Sequence, residues 1–241
     1  MIDYINNNFY AENIGESPSS FSLLDEFQNQ NPIKHIFIEN FFNQHTLNFI
    51  EKDWPTTPDL SIAAKVNKRS FYRSNLSSNL TKLIKASMKK KFVNFLEKIT
   101  GYENLLVDET LENAGLHETF NKGYLAMHID NRMHSEKNKV RVLNLIIYLS
   151  KNWKKENQGN LVLSSLDEKV RKNIFPTYNS AILFEVNSDS LHGAPSEFLK
   201  SADCFSRRSL ALFYYQSPDK FELNDSVRTR WKTNNTIKEY N

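Results

Sequence analysis

After Gly101 the hydrophobic period of this chain changes, and that change constrains its fold more than any other feature. Downstream, apolar residues gather in short runs at 105–109, 124–130, 140–149, 160–163, 180–186, 191–197 and 207–216. The runs are rich in Val, Ile, Leu, Phe and Tyr, and clusters of Asn, Gly, Ser and Lys separate them. Short strands in succession, punctuated by turn residues, predict an all-β sandwich or barrel. Arg141 to Leu149 is almost wholly apolar, as expected for a strand covered on both faces.

The N-terminal half reads differently. From Asn79 to Ile99, Leu80, Leu83, Ile84, Met88, Phe92, Phe95, Leu96 and Ile99 recur at three- and four-residue steps. This predicts one helix, started by Ser77, Ser78 or Asn79 and stopped by Gly101. A shorter helix is expected over 46–54, ended by Pro55, and a first strand over 33–42. Residues 1–30, rich in Asn, Ser and Glu, read as a loosely docked arm. The expected architecture is mainly β with flanking helices: a double-stranded β-helix, or jelly-roll, barrel of cupin-like form. Its core should span about 105–216 within a single domain, 31–241, with Leu83, Phe92 and Leu96 buried against the sheet.

Of the 241 residues 39% are hydrophobic and 12% aromatic, enough for a sizeable core. Thirty-one basic and 28 acidic residues leave a net charge of +3, and they are scattered. Such a balance points to neither a nucleic-acid nor a membrane partner. Lys89-Lys90-Lys91 reads as a solvated helix face and Arg228, Arg230 and Lys232 as a tail. Cys204 stands alone, so no intramolecular disulfide is expected. The N-terminus lacks the basic and apolar regions of a signal peptide, and apolar runs are strand-length. The reading is a soluble, cytoplasmic protein.

His128-Ile129-Asp130 carries the first chemical signal. Residues two apart on a strand face the same way, so an imidazole and a carboxylate point together. His192, between a buried run (181–184) and the turn or bulge Gly193-Ala194-Pro195, is the natural third ligand. Two histidines and one carboxylate on one face of a metal suit Fe(II) with open positions; Zn or Mn on the same barrel would serve a hydrolase or isomerase. The other histidines differ in context. His35 and His45 belong to surface or packing, His134 to an exposed polar loop (131–139), and His117 could line the pocket.

Two more strands converge on the same place. Along Arg207-Arg208-Ser209-Leu210-Ala211, alternation puts Arg207, Ser209 and Ala211 on one side and Arg208 on the other. An inward Arg207 needs an anion, since an unpaired buried charge is costly. Asn144 and Tyr148 share one face of their apolar strand, so an amide and a phenol also point inward and need partners.

With these elements in place, the chain resembles the prolyl-4-hydroxylase-like branch of the Fe(II)/2-oxoglutarate dioxygenases. The stretches that match, in order, are Gly123 to Asn131, Arg141 to Trp153, Gln158-Gly159-Asn160-Leu161-Val162-Leu163, His192 and Arg207-Arg208-Ser209. Gln158-Gly159-Asn160 replaces a more usual Gly-Gly-Glu, and His117 or Phe120 stands near a position where a tyrosine is often found. The resemblance implies His128, Asp130 and His192 as iron ligands. It implies Arg207, helped by Tyr148, Ser209 and Asn144, as the 2-oxoglutarate site. It also implies O2 as co-substrate, with hydroxylation of an unactivated C–H and release of succinate and CO2. The side chain of Asp130 should keep chloride from the metal, which favours hydroxylation over halogenation. The expected substrate is peptidyl, such as a prolyl residue, or a small molecule, with the 131–139 loop as a candidate lid. A non-catalytic binding module is the remaining alternative.

Overall fold

The computed structural model describes residues 1–6, 19–136, 138–221, 229–233 and 236–239. Two antiparallel sheets face each other. The larger contains, in spatial order, β1 (His35–Ile38), β9 (Ser180–Glu185), β6 (Val140–Tyr148), β11 (Arg207–Gln216), β4 (Gly115–Thr119), β3 (Lys68–Tyr72) and β2 (Leu60–Ala63). The smaller contains β13 (Thr236–Glu239), β12 (Arg230–Thr233), β5 (Leu125–Ile129), β10 (Ser190–Ala194), β7 (Leu161–Ser165) and β8 (Arg171–Ile174). This is the expected jelly-roll arrangement, with helices on one side.

Strand alternation divides the larger sheet into two chemically distinct faces. Phe71, His117, Ser209 and Tyr148 form one cross-strand row, which faces the smaller sheet. Tyr72, Leu116, Leu210, Ile147 and Ala181 form the next, which faces away. The outward row joins one apolar core with the helices α1 (Ser19–Gln28), α2 (Gln44–Lys52), α3 (Ser78–Ser87) and α4 (Lys90–Thr100). Leu83, Phe92 and Leu96 are buried there as expected, and Phe92 packs on Tyr214 with ring centroids 6.4 Å apart. His117 and Ser209 of the inward row line a cavity between the sheets.

Several elements depart from expectation. The single helix over 79–99 is two helices. Ser87 turns its hydroxyl back onto the Ile84 carbonyl, and the Ser87 carbonyl accepts the Tyr214 phenol at 3.2 Å. With that carbonyl engaged by the sheet, the chain breaks at Met88-Lys89 and restarts; Ser77 and Gly101 cap the outer ends as expected. The 105–109 run is not a strand: Leu106 makes one bridge to Tyr215, and Asp108 instead closes a turn by accepting the Thr110 and Glu112 amides. The first strand contracts to β1, and Asn43 caps α2 by accepting from the Thr46 amide. Of residues 1–30, the described parts pack in rather than lying loose: Ile5 bridges Phe42, and Ile5 and Phe27 are fully buried. Arg230 and Lys232, expected in a tail, lie on β12, where Lys232 pairs with Glu168; Arg228 is outside the described residues. Among the described residues, no helix is long and apolar enough to cross a membrane.

Gly193 explains the expected bulge. A Cβ there would come 2.7 Å from the Ala126 carbonyl oxygen, so only glycine allows β10 to approach β5 at that point, and the register between the two strands shifts after His192. The helix-to-sheet packing has a simple test. Phe92→Ala should cost about 3–5 kcal/mol in urea denaturation. Phe205→Ala, at a side chain 70% exposed, should stay within about 0.5 kcal/mol of the parent.

Candidate metal centre

The ladder between β5 and β10 sets His128 directly opposite His192, with ring centroids 4.3 Å apart. Asp130 follows one residue beyond β5. Its Oδ1 lies 3.3 Å from His128 Nε2 and its Oδ2 lies 3.3 Å from His192 Nε2. One ligand atom from each residue falls within 4.8 Å of the others, all at a buried to half-buried site.

The donor set fits a cation. His128 Nδ1 lies 2.9 Å from the Ala126 carbonyl oxygen, an acceptor, so Nδ1 carries the proton and neutral Nε2 offers a lone pair. Burial, with the His192 charge, lowers the His128 pKa against the pull of Asp130, so the ring is neutral. Burial opposes ionisation of Asp130, but Arg141 and the two histidines hold it well below the usual carboxylate range. A lone pair and an anionic oxygen 3.3 Å apart repel unless a positive charge lies between them. A metal ion would supply it.

Two residues from β6 orient that carboxylate. Asn144 Nδ2 donates to Asp130 Oδ2 at 2.9 Å, and Arg141 Nη2 lies 3.2 Å from Oδ1 while also donating to the Asn131 carbonyl at 2.5 Å. Asn144, expected to touch a co-substrate, thus spends its amide nitrogen on Asp130; its Oδ1 is buried without a partner. Arg141 and Trp231, whose ring lies 4.8 Å from that of His128, went unassigned in the sequence. The polar break at Arg141 in an otherwise apolar strand was the available signal; for Trp231 there was none.

A group of polar atoms without hydrogen-bond partners lies in and beside the same cavity. Arg207 and Ser209 face inward beside Tyr148, as alternation predicted, and the Arg207 guanidinium lies 5.1 Å above the Tyr148 ring. Arg207 Nε, Tyr148 Oη and His117 Nε2 are buried with no hydrogen-bond partner. Burial, eased by Arg207, raises the Tyr148 pKa to about 12, which keeps the phenol a donor. Burial first, and then the Arg69 charge, hold His117 neutral. A cationic fork beside a hydroxyl donor suits a carboxylate. His117, rather than the half-exposed Phe120, takes the inward position. Arg69 also lines this cavity, a feature the sequence reading missed because β3 was not recognised as a strand.

Arg208 lies on the opposite face. Its Nε donates to Glu118 Oε1 at 2.9 Å, and its guanidinium stacks 4.7 Å over Trp54. The 131–139 loop is not placed as a lid. No described residue of it lines the cavity, Met133 bridges Val140, and His134, expected to be exposed, is 3% exposed. The carboxylates of Asp108 and Glu112 lie 3.3 and 3.4 Å from its Nε2.

Residues 114–215 match the family model described as the 2OG-Fe(II) oxygenase superfamily. No protein of curated function shows a significant sequence match. Solved structures share the fold. A prolyl hydroxylase from Trichoplax adhaerens, in complex with a hypoxia inducible factor peptide fragment, is 17% identical over 83% of this chain and 94% of its own, with TM-score 0.56. A prolyl-4-hydroxylase from Pseudomonas putida is 12% identical over 83% and 100%, with TM-score 0.54. An oxidoreductase of the 2OG-Fe(II) oxygenase family from Burkholderia pseudomallei is 14% identical over 83% and 91%, with TM-score 0.57. Residues 114–215 thus match a 2OG-Fe(II) oxygenase domain, the fold is of the prolyl hydroxylase kind, and the protein is a 2-oxoglutarate-dependent dioxygenase that uses Fe(II), 2-oxoglutarate and O2.

Glu118, behind the cavity, supports a pH prediction. Burial raises its pKa, but hydrogen bonds from Ser206, Arg208 and Tyr72 and the Arg208 charge more than offset this and hold it below the usual glutamate value. A carboxylate depressed in the folded state contributes stability that is complete above its unfolded pKa and lost as pH falls through the folded value. Urea midpoints measured from about pH 7 to about pH 3 should therefore fall less steeply on the acid side in Glu118→Gln than in the parent. Equal slopes would remove this role.

Proposed function

We propose that His128, Asp130 and His192 hold Fe(II), that Arg207 with Tyr148 and Ser209 binds the distal carboxylate of 2-oxoglutarate, and that the enzyme hydroxylates an unactivated C–H of a peptidyl or small-molecule substrate. One observation carries the reading: three converging ligand atoms share a cavity with the half-buried Arg207, whose Nε has no hydrogen-bond partner and whose guanidinium lies 5.1 Å over the Tyr148 ring. A hydrolase or isomerase on the same triad would leave Arg207 and Tyr148 without a role.

When bound, Fe(II) and 2-oxoglutarate supply the oxidising chemistry, in which decarboxylation to succinate and CO2 accompanies transfer of one oxygen atom from O2 to the substrate. The protein residues orient and shield. Ala126 fixes the His128 tautomer through Nδ1, so that Nε2 faces the ion. Asn144 and Arg141 hold the Asp130 carboxylate in place and anionic. Arg207 neutralises the distal carboxylate, the Tyr148 phenol stays protonated to donate to it, and Ser209 leaves space beside them. Ile146, Leu161, Phe198 and Phe213 wall the cavity against water. No protein side chain needs to act as a general base. Asp130 occupies with a tethered anion the place that a halide would need, so oxygen rather than halogen is transferred.

Asp130→Ala should abolish iron-dependent 2-oxoglutarate decarboxylation, measured as succinate release, while leaving the protein folded. Arg207→Ala should raise the 2-oxoglutarate concentration for half-saturation about 10- to 150-fold, the loss of a charge-assisted contact of ~1.5–3 kcal/mol. Arg208→Ala should stay close to the parent. The reverse pattern for the two arginines would overturn the assignment of the clamp. A halogenated product formed in excess chloride would overturn the role of Asp130.

A further inference from the structure

The cavity contains a second guanidinium that the co-substrate does not require. The β3–β4 register pairs Ser70 with Glu118 and Phe71 with His117, and one further step sets Arg69 across from Thr119. Thr119 in turn pairs with Arg207. Arg69 and Arg207 therefore stand in one row, two strands and roughly 10 Å apart at the backbone, on the same face of the sheet. Both line the cavity, and the Nε of each is buried with no hydrogen-bond partner.

The two side chains lean apart. Arg207 lies over Tyr148, toward β6. Arg69 lies 4.8 Å over Phe71, on its own strand. That strand closes the barrel beside the strand that carries His128: Lys68 donates to the Tyr124 carbonyl, Asn67 bridges Leu125, and the Ala126 amide donates to Val66. Arg69 thus sits between the clamp and the metal-ligand strand, on the far side of Thr119 from Arg207.

Among the described residues, none offers it a free anion. Asp130 is the acidic residue among those lining the cavity, and its oxygens already face His128, His192, Asn144 and Arg141. Burial and the nearby Arg207 lower the Arg69 pKa to about 10, so the side chain remains cationic near neutral pH. A half-buried cation without a counter-charge gives up part of its hydration unrewarded, and two such cations line one cavity. One 2-oxoglutarate, with its distal carboxylate on Arg207, leaves the second cation unpaired.

We propose that Arg69 receives the carboxylate of the primary substrate, so that the molecule oxidised is an organic acid anchored by that group beside the metal. This rests on the function proposed above, because it assigns Arg207 to the co-substrate. An arginine fork holds a carboxylate bidentately and so fixes orientation as well as position. Anchoring the acid end fixes which C–H lies near the metal. A backbone segment from the middle of a peptide offers no such group.

Calorimetry on the full chain loaded with Mn(II), which accepts the same ligands, separates the two seats. 2-Oxoglutarate is titrated first. Butanoate, cyclopentanecarboxylate and N-acetylglycine, each beside its neutral amide, are then titrated into the 2-oxoglutarate complex. The parent should bind at least one acid about tenfold more tightly than its amide, a difference of ~1.4 kcal/mol. Arg69→Gln should keep its 2-oxoglutarate affinity within about threefold and lose the preference for acid over amide, and Arg69→Lys should retain part of it. Loss of 2-oxoglutarate binding in Arg69→Gln as severe as in Arg207→Ala would overturn the proposal by placing Arg69 in the co-substrate clamp. So would equal binding of acids and amides by the parent, or none of either. A parent that fails to bind 2-oxoglutarate would overturn the proposed function first and this inference with it.

Discussion

The carboxylate of Asp130 is where the two sheets meet, and the site depends on how it is held. From the smaller sheet, His128 and His192 approach its two oxygens. From the larger, Asn144 and Arg141 approach the same two oxygens from behind. The larger sheet thus aims the carboxylate while the smaller supplies the imidazoles. Neither sheet alone contains the site. The packing that holds the sheets in register is therefore part of the metal chemistry, although the helices that stabilise it touch only the outer face.

Charge is distributed inside the barrel in a way that only ligands can balance. Arg69, Arg141 and Arg207 all reach the inner space, against one carboxylate that Arg141 already engages. Behind the sheet the pattern differs: Arg208 and Glu118 form a pair complete in itself, closed by Tyr72, Trp54 and Ser206. Adjacent residues of one strand, Arg207 and Arg208, therefore have opposite tasks. The first waits for an anion and the second has one. Backbone alternation alone makes that division.

That same alternation is why so much of the site was legible in sequence. His128 with Asp130, Arg207 with Ser209, and Asn144 with Tyr148 are each spaced by an even number along a strand, so a strand reading fixed their common face. The strands at 125–129, 140–148 and 207–216 fall within the apolar runs at 124–130, 140–149 and 207–216, which no helix competes for. What stayed hidden depended on tertiary context. Arg69 lies in Lys68-Arg69-Ser70-Phe71-Tyr72, a strand with too little apolar content to signal itself. The break between α3 and α4 comes from a carbonyl taken by Tyr214, more than a hundred residues away. His134 sits in a polar segment, yet it is buried beside the distant carboxylates of Asp108 and Glu112. Local pattern reports which way a side chain points; it does not report what arrives from elsewhere to meet it.

The two faces of the larger sheet also divide stability from function. The outward row of Leu116, Leu210, Ile147 and Ala181 packs against helices and contributes the apolar burial that favours folding. The inward row holds His117 and Tyr148, with Arg207 beside it, whose buried unpaired atoms each cost about 1–3 kcal/mol. A fold lined on both faces with leucine would be more stable and would bind nothing. The helices on the outer face let the inner face stay polar, because they provide a core that does not include the cavity. A ligand that pairs those atoms recovers the cost, so part of the affinity for the co-substrate is set by what the empty inner face fails to satisfy.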